Sequence, residues 1–261
     1  MKQFLKKEIH RLERKEERER LEQLREEKSS ALAGIEEKIP SAVRDNLRKA
    51  FFQAFRLIFA KGDFLIGKTI NWEKIEKEFS QGEETLQKRP TRRSLNKLEQ
   101  KIGSRGNFAA AMTGAEGVLL GLVGVGLPDI PLFLAVLFRG IYETAAGYGF
   151  SVNQTAEKVY ALRLICGAMA KGKDKQIKQE EIEALEQEIA AGRVFSAEEI
   201  DVEIRKASDF LAERMIVGKF LQGMFVIGVI GGIENVRIYR RVTGYAKDHY
   251  KKRYLKKKLN V

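Results

Sequence analysis

Two apolar stretches rich in glycine constrain this chain more than any other feature. Seven glycines fall between Gly103 and Gly126 among Ala, Val and Leu, and Gly223, Gly228, Gly231 and Gly232 interrupt the stretch from Phe220 to Ile233. Gly114, Gly117, Gly121 and Gly124 recur every three or four residues, which sets them on one helical face. Glycine inside a helix costs about 1 kcal/mol relative to alanine. A run of it therefore needs compensation, and the usual source is close approach of a second helix backbone. Gly228 and Gly232 carry the G-x-x-x-G spacing of such contacts.

Neither stretch reads as a clean membrane span, which needs about 20 apolar residues. Val118 to Phe138 has 21 residues and one charge, Asp129, but Gly126, Pro128 and Pro131 divide it. The second stretch is shorter and is flanked by Lys219 and Glu234. A close-packed helical pair in a soluble or peripheral domain is the expectation.

The rest of the chain is patterned as helix, with few prolines and no alternating strand runs. Residues 1–28 form a charged helix with sparse apolar positions at Leu5, Ile9, Leu12, Leu21 and Leu24. Residues 41–60 carry Val43, Leu47, Phe51, Ala54 and Ile58 at helical spacing, with Ser41 as the expected cap after Pro40. Phe52, Phe55 and Phe59 widen the stripe beside Arg44, Arg48, Lys49 and Arg56. That mixture suits a core-facing helix or an interfacial membrane helix. Asp129 is expected to cap a helix through Leu132 to Ala146. Ser151 with Gln154, and Ser196 with Glu199, resemble capping boxes. The fold class is all-α: a compact helical domain built around the two glycine-rich segments (31–261), preceded by a charged N-terminal helix (1–30).

Charge is unevenly distributed. From Arg237 to Lys258 there are ten Lys or Arg against the single acid Asp248, about nine of the net +12. Arg240, Arg241, Lys247, Lys251, Lys252, Arg253, Lys256, Lys257 and Lys258 are the expected membrane-contact residues. An anionic lipid surface attracts such cations by about 1 kcal/mol each. The phosphates of nucleic acid would do the same, but the neighbouring apolar segments favour the membrane.

Catalytic chemistry has little to stand on. The one cysteine, Cys166, forms no intramolecular disulfide, and the absence of a secretion-signal pattern at the start points to the cytosol. The two histidines, His10 and His249, lie in charged terminal regions, too sparse with Cys166 for a zinc site or a nucleophile–base pair. No phosphate loop occurs. No catalytic residue, metal or cofactor is assigned. Polar residues beside the apolar segments are more informative, because burying them unpaired is costly. Asp129, Arg139, Glu143, Tyr148, Lys219 and Asn235 are candidates to line a pocket for a lipid head group or small ligand. Arg139 and Glu143 stand four apart and are expected to pair. An enzyme using Asp129 and Glu143 as acid and base is the alternative, and nucleic-acid binding through the basic tail is another.

Met112–Thr113–Gly114–Ala115–Glu116–Gly117, Gly126–Leu127–Pro128–Asp129–Ile130–Pro131, Arg139–Gly140–Ile141–Tyr142–Glu143 and Tyr148–Gly149–Phe150 together resemble the central signature of EcsC family proteins. Lys219 to Asn235, followed by Arg237, Ala246, Tyr250 and Arg253, is similar to their C-terminal signature. The resemblance implies association with the genetic neighbourhood of an ABC transporter involved in secretion and cell-envelope regulation, so an ABC transporter or another membrane protein is an expected partner. It implies no defined reaction.

Overall fold

The computed structural model describes residues 1–29, 40–105, 129–221 and 232–260. The glycine face at Gly114–Gly124, Glu116 and Gly228 lie outside the described residues. Among those described, ten α-helices and no strands occur. They are α1 (Lys2–Ser29), α2 (Ser41–Leu57), α3 (Asp63–Lys68), α4 (Trp72–Lys88), α5 (Arg92–Arg105), α6 (Asp129–Gly147), α7 (Thr155–Met169), α8 (Gly172–Ala190), α9 (Ala197–Leu221) and α10 (Gly232–Leu259). A short π-helical turn, Ile58–Gly62, joins α2 to α3.

Local chemistry sets several boundaries. In the capping box opening α9, Ser196 N–H donates to Glu199 Oε2 at 2.9 Å and Glu199 N–H to Ser196 Oγ at 3.2 Å. Asn71 caps α4 by accepting from Lys74 N–H at 3.0 Å. Two expected caps are not formed. Ser41 is the first residue inside α2, with Pro40 at the cap position and no side-chain cap bond. The Ser151–Gln154 box is absent because α7 starts only at Thr155, after an extended Gln154. Thr155 Oγ1 instead accepts the N–H of distant Phe195 at 3.1 Å.

α10 is the axis of the bundle. α6 runs parallel to it: Gly140 lies against Tyr239 and Thr243, and the rings of Tyr148 and Tyr254 are 5.9 Å apart. α7 runs antiparallel, with Tyr160 beside Tyr250 and Glu157 bound to Arg253. α9 follows α7, through Arg163–Glu203 at 2.9 Å. α2 runs back along α9, through Arg48–Glu213 at 2.6 Å and Arg56–Asp201 at 3.5 Å. Consequently the start of α6, the end of α9 and the start of α10 share one end of the bundle.

The phenylalanine stripe of α2 faces inward. Phe51 and Phe55 are fully buried, and Phe55 and Phe59 meet Phe138 of α6 edge-on at 6.2 and 5.7 Å. α6 is apolar enough to cross a membrane by length and composition, yet 72% of its apolar window is buried inside the protein. It is a core helix here. The charged α1 is only partly solvated: Leu5, Ile9 and Leu12 are buried, while Leu21 is 46% exposed.

Candidate functional site

Among the candidate polar residues whose side chains are described, Arg139, Glu143 and Asn235 share one helix seam and Tyr148 stands apart from it. Arg139 and Glu143 pair along α6, with both Nε and Nη2 donating to Glu143 Oε1 at 3.2 Å. Both side chains are nearly buried. They face the seam with α10, where Gly140 lets the helices touch. A β-carbon at Gly140 would stand 2.7 Å from Thr243 Cγ2 and 2.8 Å from the Tyr239 ring. Burial, and secondarily the Glu143 charge, push the Tyr239 hydroxyl well above its ordinary pKa. Asn235, one turn before Tyr239, follows the same face of α10 and is half-buried. Arg139, Glu143, Asn235 and Tyr239 therefore belong to one seam.

Tyr148 is not part of it, since nine residues of helix separate it from Arg139 by about 13 Å. It sits at the end of α6 against Tyr254, and among the described residues the hydroxyls of both lack a hydrogen-bond partner. Its neighbour Gly149 closes the helix with φ +75°. Phe150 N–H donates to Ala145 O and Gly149 N–H to Ala146 O, the Schellman pattern. Phe79 approaches so closely that a β-carbon on Gly149 would lie 2.5 Å from its ring. The Tyr-Gly element is thus a helix stop held against α4. Asp129 begins α6 and Lys219 lies near the end of α9, and their side chains lie outside the described residues. Asp129 and Glu143 are fourteen residues apart on one helix, about 21 Å. They are too far apart to act as acid and base on one small substrate.

A denser polar cluster lies elsewhere, between α7, α8 and α10. Arg253 binds Glu157 through both terminal nitrogens, at 2.9 and 2.5 Å, and its guanidinium lies 4.5 Å from the Phe150 ring centroid and 4.4 Å from that of Tyr160. Burial opposes the charge on Arg253, but the Glu157 carboxylate outweighs it and raises the guanidinium pKa. Tyr250 also donates to Glu157, at 3.2 Å. Beside them, Tyr160 donates to Glu186 Oε1 at 2.6 Å, and His249 Nδ1 lies 3.3 Å from the same oxygen. Burial works against the Glu186 charge, yet these partners hold its pKa below the usual carboxylate value. His249 is only 1% exposed, and its Nε2 has no partner among the described residues. Sequence reasoning set it aside as a residue of a charged terminus.

With this geometry in place, the model of the EcsC protein family matches residues 3–255. The chain belongs to the EcsC protein family. No curated protein and no solved structure matches it.

The basic C-terminal stretch of this EcsC family member is mostly an interior helix. Lys251 binds Glu99 at 2.6 Å, with Lys247 at 3.7 Å from the same carboxylate. Lys252 is 4% exposed and bridges Glu16 at 2.7 Å and Glu183 at 3.3 Å. Lys256 lies 4.0 Å from Glu186, and Lys258 pairs with Glu83. Lys252 and Arg253 therefore face the core and not the solvent. Among the described residues, Arg240, Arg241 and Lys257 are the expected membrane-contact cations that stay exposed with no carboxylate partner.

One cleft with a volume of about 20 Å³ opens beside Cys166, rimmed by Arg163, Lys178, Glu181 and Glu203. That is room for about one water, far below the ~300 Å³ of a ligand pocket. Its rim charges pair with each other, Arg163 with Glu203 and Lys178 with Glu181 at 2.8 Å.

Proposed function

We propose that this EcsC family protein is a non-catalytic, membrane-associated binding protein, seated on the cytoplasmic face beside a membrane-protein partner such as an ABC transporter. The observation that carries the reading is the shared end of the bundle. α6 emerges there from the first glycine-rich apolar segment, and α9 and α10 flank the second. Arg237, Arg240 and Arg241 project from the first turns of α10 at this same end and are exposed. Exposed arginines beside helix ends that continue in sequence into apolar segments suit an interface of anionic head groups over acyl chains. Asn235 lies in the first turn of α10 at that end, and the Arg139–Glu143–Tyr239–Asn235 seam that it begins is the candidate contact for a lipid head group.

Flotation of the full chain with vesicles containing anionic lipid tests the reading. Each arginine near the surface contributes about 1 kcal/mol, so Arg240→Gln with Arg241→Gln should weaken binding about 30-fold at low salt. Unchanged binding by the double variant, or no binding of the parent protein at low salt, refutes it. Release of the cellular protein by salt marks electrostatic attachment, and a detergent requirement marks insertion of the glycine-rich segments.

A further inference from the structure

At the opposite end of the bundle, exposed cations gather that bind none of the carboxylates among the described residues. α4 runs parallel to α10, with Phe79 beside Tyr254 and Glu83 bound to Lys258, so the turn joining α4 to α5 lies at the end of α10. α1 runs antiparallel: Glu16 binds Lys252, and Glu19 sits by Lys175, itself over the ring of Tyr245. The first turns of α1 therefore arrive at the same end. Lys6, Lys7, Arg89, Arg92, Arg93 and Lys97 are all exposed there, and among the described residues none has a carboxylate partner. The contrast with α10 is sharp, because most cations of that helix are paired.

We infer that this surface docks the phosphate backbone of a nucleic-acid duplex, independently of its sequence. The chemistry of the surface selects among polyanions. A folded protein partner would need apolar or aromatic anchors at the centre of the contact, and single-stranded nucleic acid would need exposed rings to stack its bases. Among the described residues, the terminal Met1 is exposed at this end but is no ring and does not lie among the arginines, and Trp72, the exposed aromatic among the large hydrophobics, starts α4 and lies toward its other end. Arginine forks and lysines alone match closely spaced phosphates. The bilayer of the preceding proposal does not compete for the surface, because α10 separates the two ends by about 42 Å.

Anisotropy of a labelled 20-base-pair duplex, titrated with the full chain between 50 and 200 mM salt, tests this. Six phosphate contacts predict a slope of log K against log salt of about −5, a loss on the order of 10³-fold over that range. Arg89→Gln with Arg92→Gln and Arg93→Gln changes only exposed side chains. It should flatten the slope by about 3 while leaving vesicle flotation unchanged. Arg240→Gln with Arg241→Gln should do the reverse, so the two surfaces fail separately. No duplex binding at 50 mM salt, an unchanged slope in the triple variant, or tighter binding of a polyglutamate peptide or anionic vesicles by these residues overturns the inference.

Discussion

Replacing Arg253 with methionine would leave the Glu157 carboxylate charged and stranded. That carboxylate is 3% exposed, and its remaining hydrogen-bond donor is the Tyr250 hydroxyl at 3.2 Å. Removing one member of a buried pair costs about 3–5 kcal/mol, because the partner keeps its desolvation penalty and loses its compensation. Methionine fills much of the volume between Phe150 and Tyr160, so the cavity contribution stays small. For a chain of this size each kcal/mol moves the melting temperature by about 2–4 °C, which predicts a fall on the order of 6–20 °C. Removing both charges with Glu157→Leu and Arg253→Met leaves no stranded group and should recover most of the loss. Urea denaturation followed by circular dichroism measures the parent, the Arg253→Met and Glu157→Leu single variants and the double variant, and an unchanged m-value keeps the comparison valid. A single variant within 1 kcal/mol of the parent, or single losses that add in the double, would refute the coupled-pair account.

Gly140→Ala should destabilise by about 1–3 kcal/mol, since its β-carbon meets Tyr239 and Thr243, whereas Gly244→Ala, with open space around it, should stabilise by up to about 1 kcal/mol; thermal melts separate them. Cys166 is buried, and burial first of all raises its thiol pKa to about 12, so a thiol reagent at pH 8 should label it only as fast as the protein unfolds. Glu186 and Glu203 are held below their ordinary pKa by His249 and Arg163 respectively, against the opposing effect of burial. Their stabilisation is present above the unfolded carboxylate pKa of about 4.3 and is lost as pH falls through the lower folded value. Glu186→Gln should make acid unfolding below about pH 4.5 less steep; an identical acid limb in the variant counts against the pairing. Lys175 is lowered to about 8 by burial, so its unfolded form binds more protons between about pH 8 and 10.5. Stability should rise with pH there relative to Lys175→Met, and a constant difference would show that the lysine titrates normally.

The all-α class was readable because helical periodicity and capping chemistry are local. Ser196 with Glu199 formed its box, and Arg139 with Glu143 formed its pair, since each needs only neighbours along one helix. The Ser151–Gln154 box failed where a long-range bond from Phe195 engaged Thr155 instead. The basic tail shows the same limit more strongly. Arg253 pairs with a residue 96 positions away, and Lys252 with one 236 positions away. A count of charges along one segment includes none of these carboxylates. His249 carried a usable signal, because Val242, Ala246, His249, Tyr250 and Tyr254 follow one another at helical spacing and all are buried. Extending the apolar face of α10 past Tyr245 would have set His249 and Arg253 inside the bundle.

This partition of charge bears on both proposed surfaces. Because α10 is pinned along its second half by carboxylates from α1, α4, α5, α7 and α8, its first turns extend from a fixed base. Arg240 and Arg241 are then presented in one orientation relative to α6, whose own start shares that end of the bundle. A cationic tail free in solution would lose conformational entropy on meeting a charged surface, whereas a pinned helix has already lost it in folding. The cations paired inside the bundle and the exposed ones at its two ends, Arg240 and Arg241 at one and Lys6, Lys7, Arg89, Arg92, Arg93 and Lys97 at the other, thus differ in what they can meet. The first set fixes the helix, and the second set is left with its charge available to an external anion.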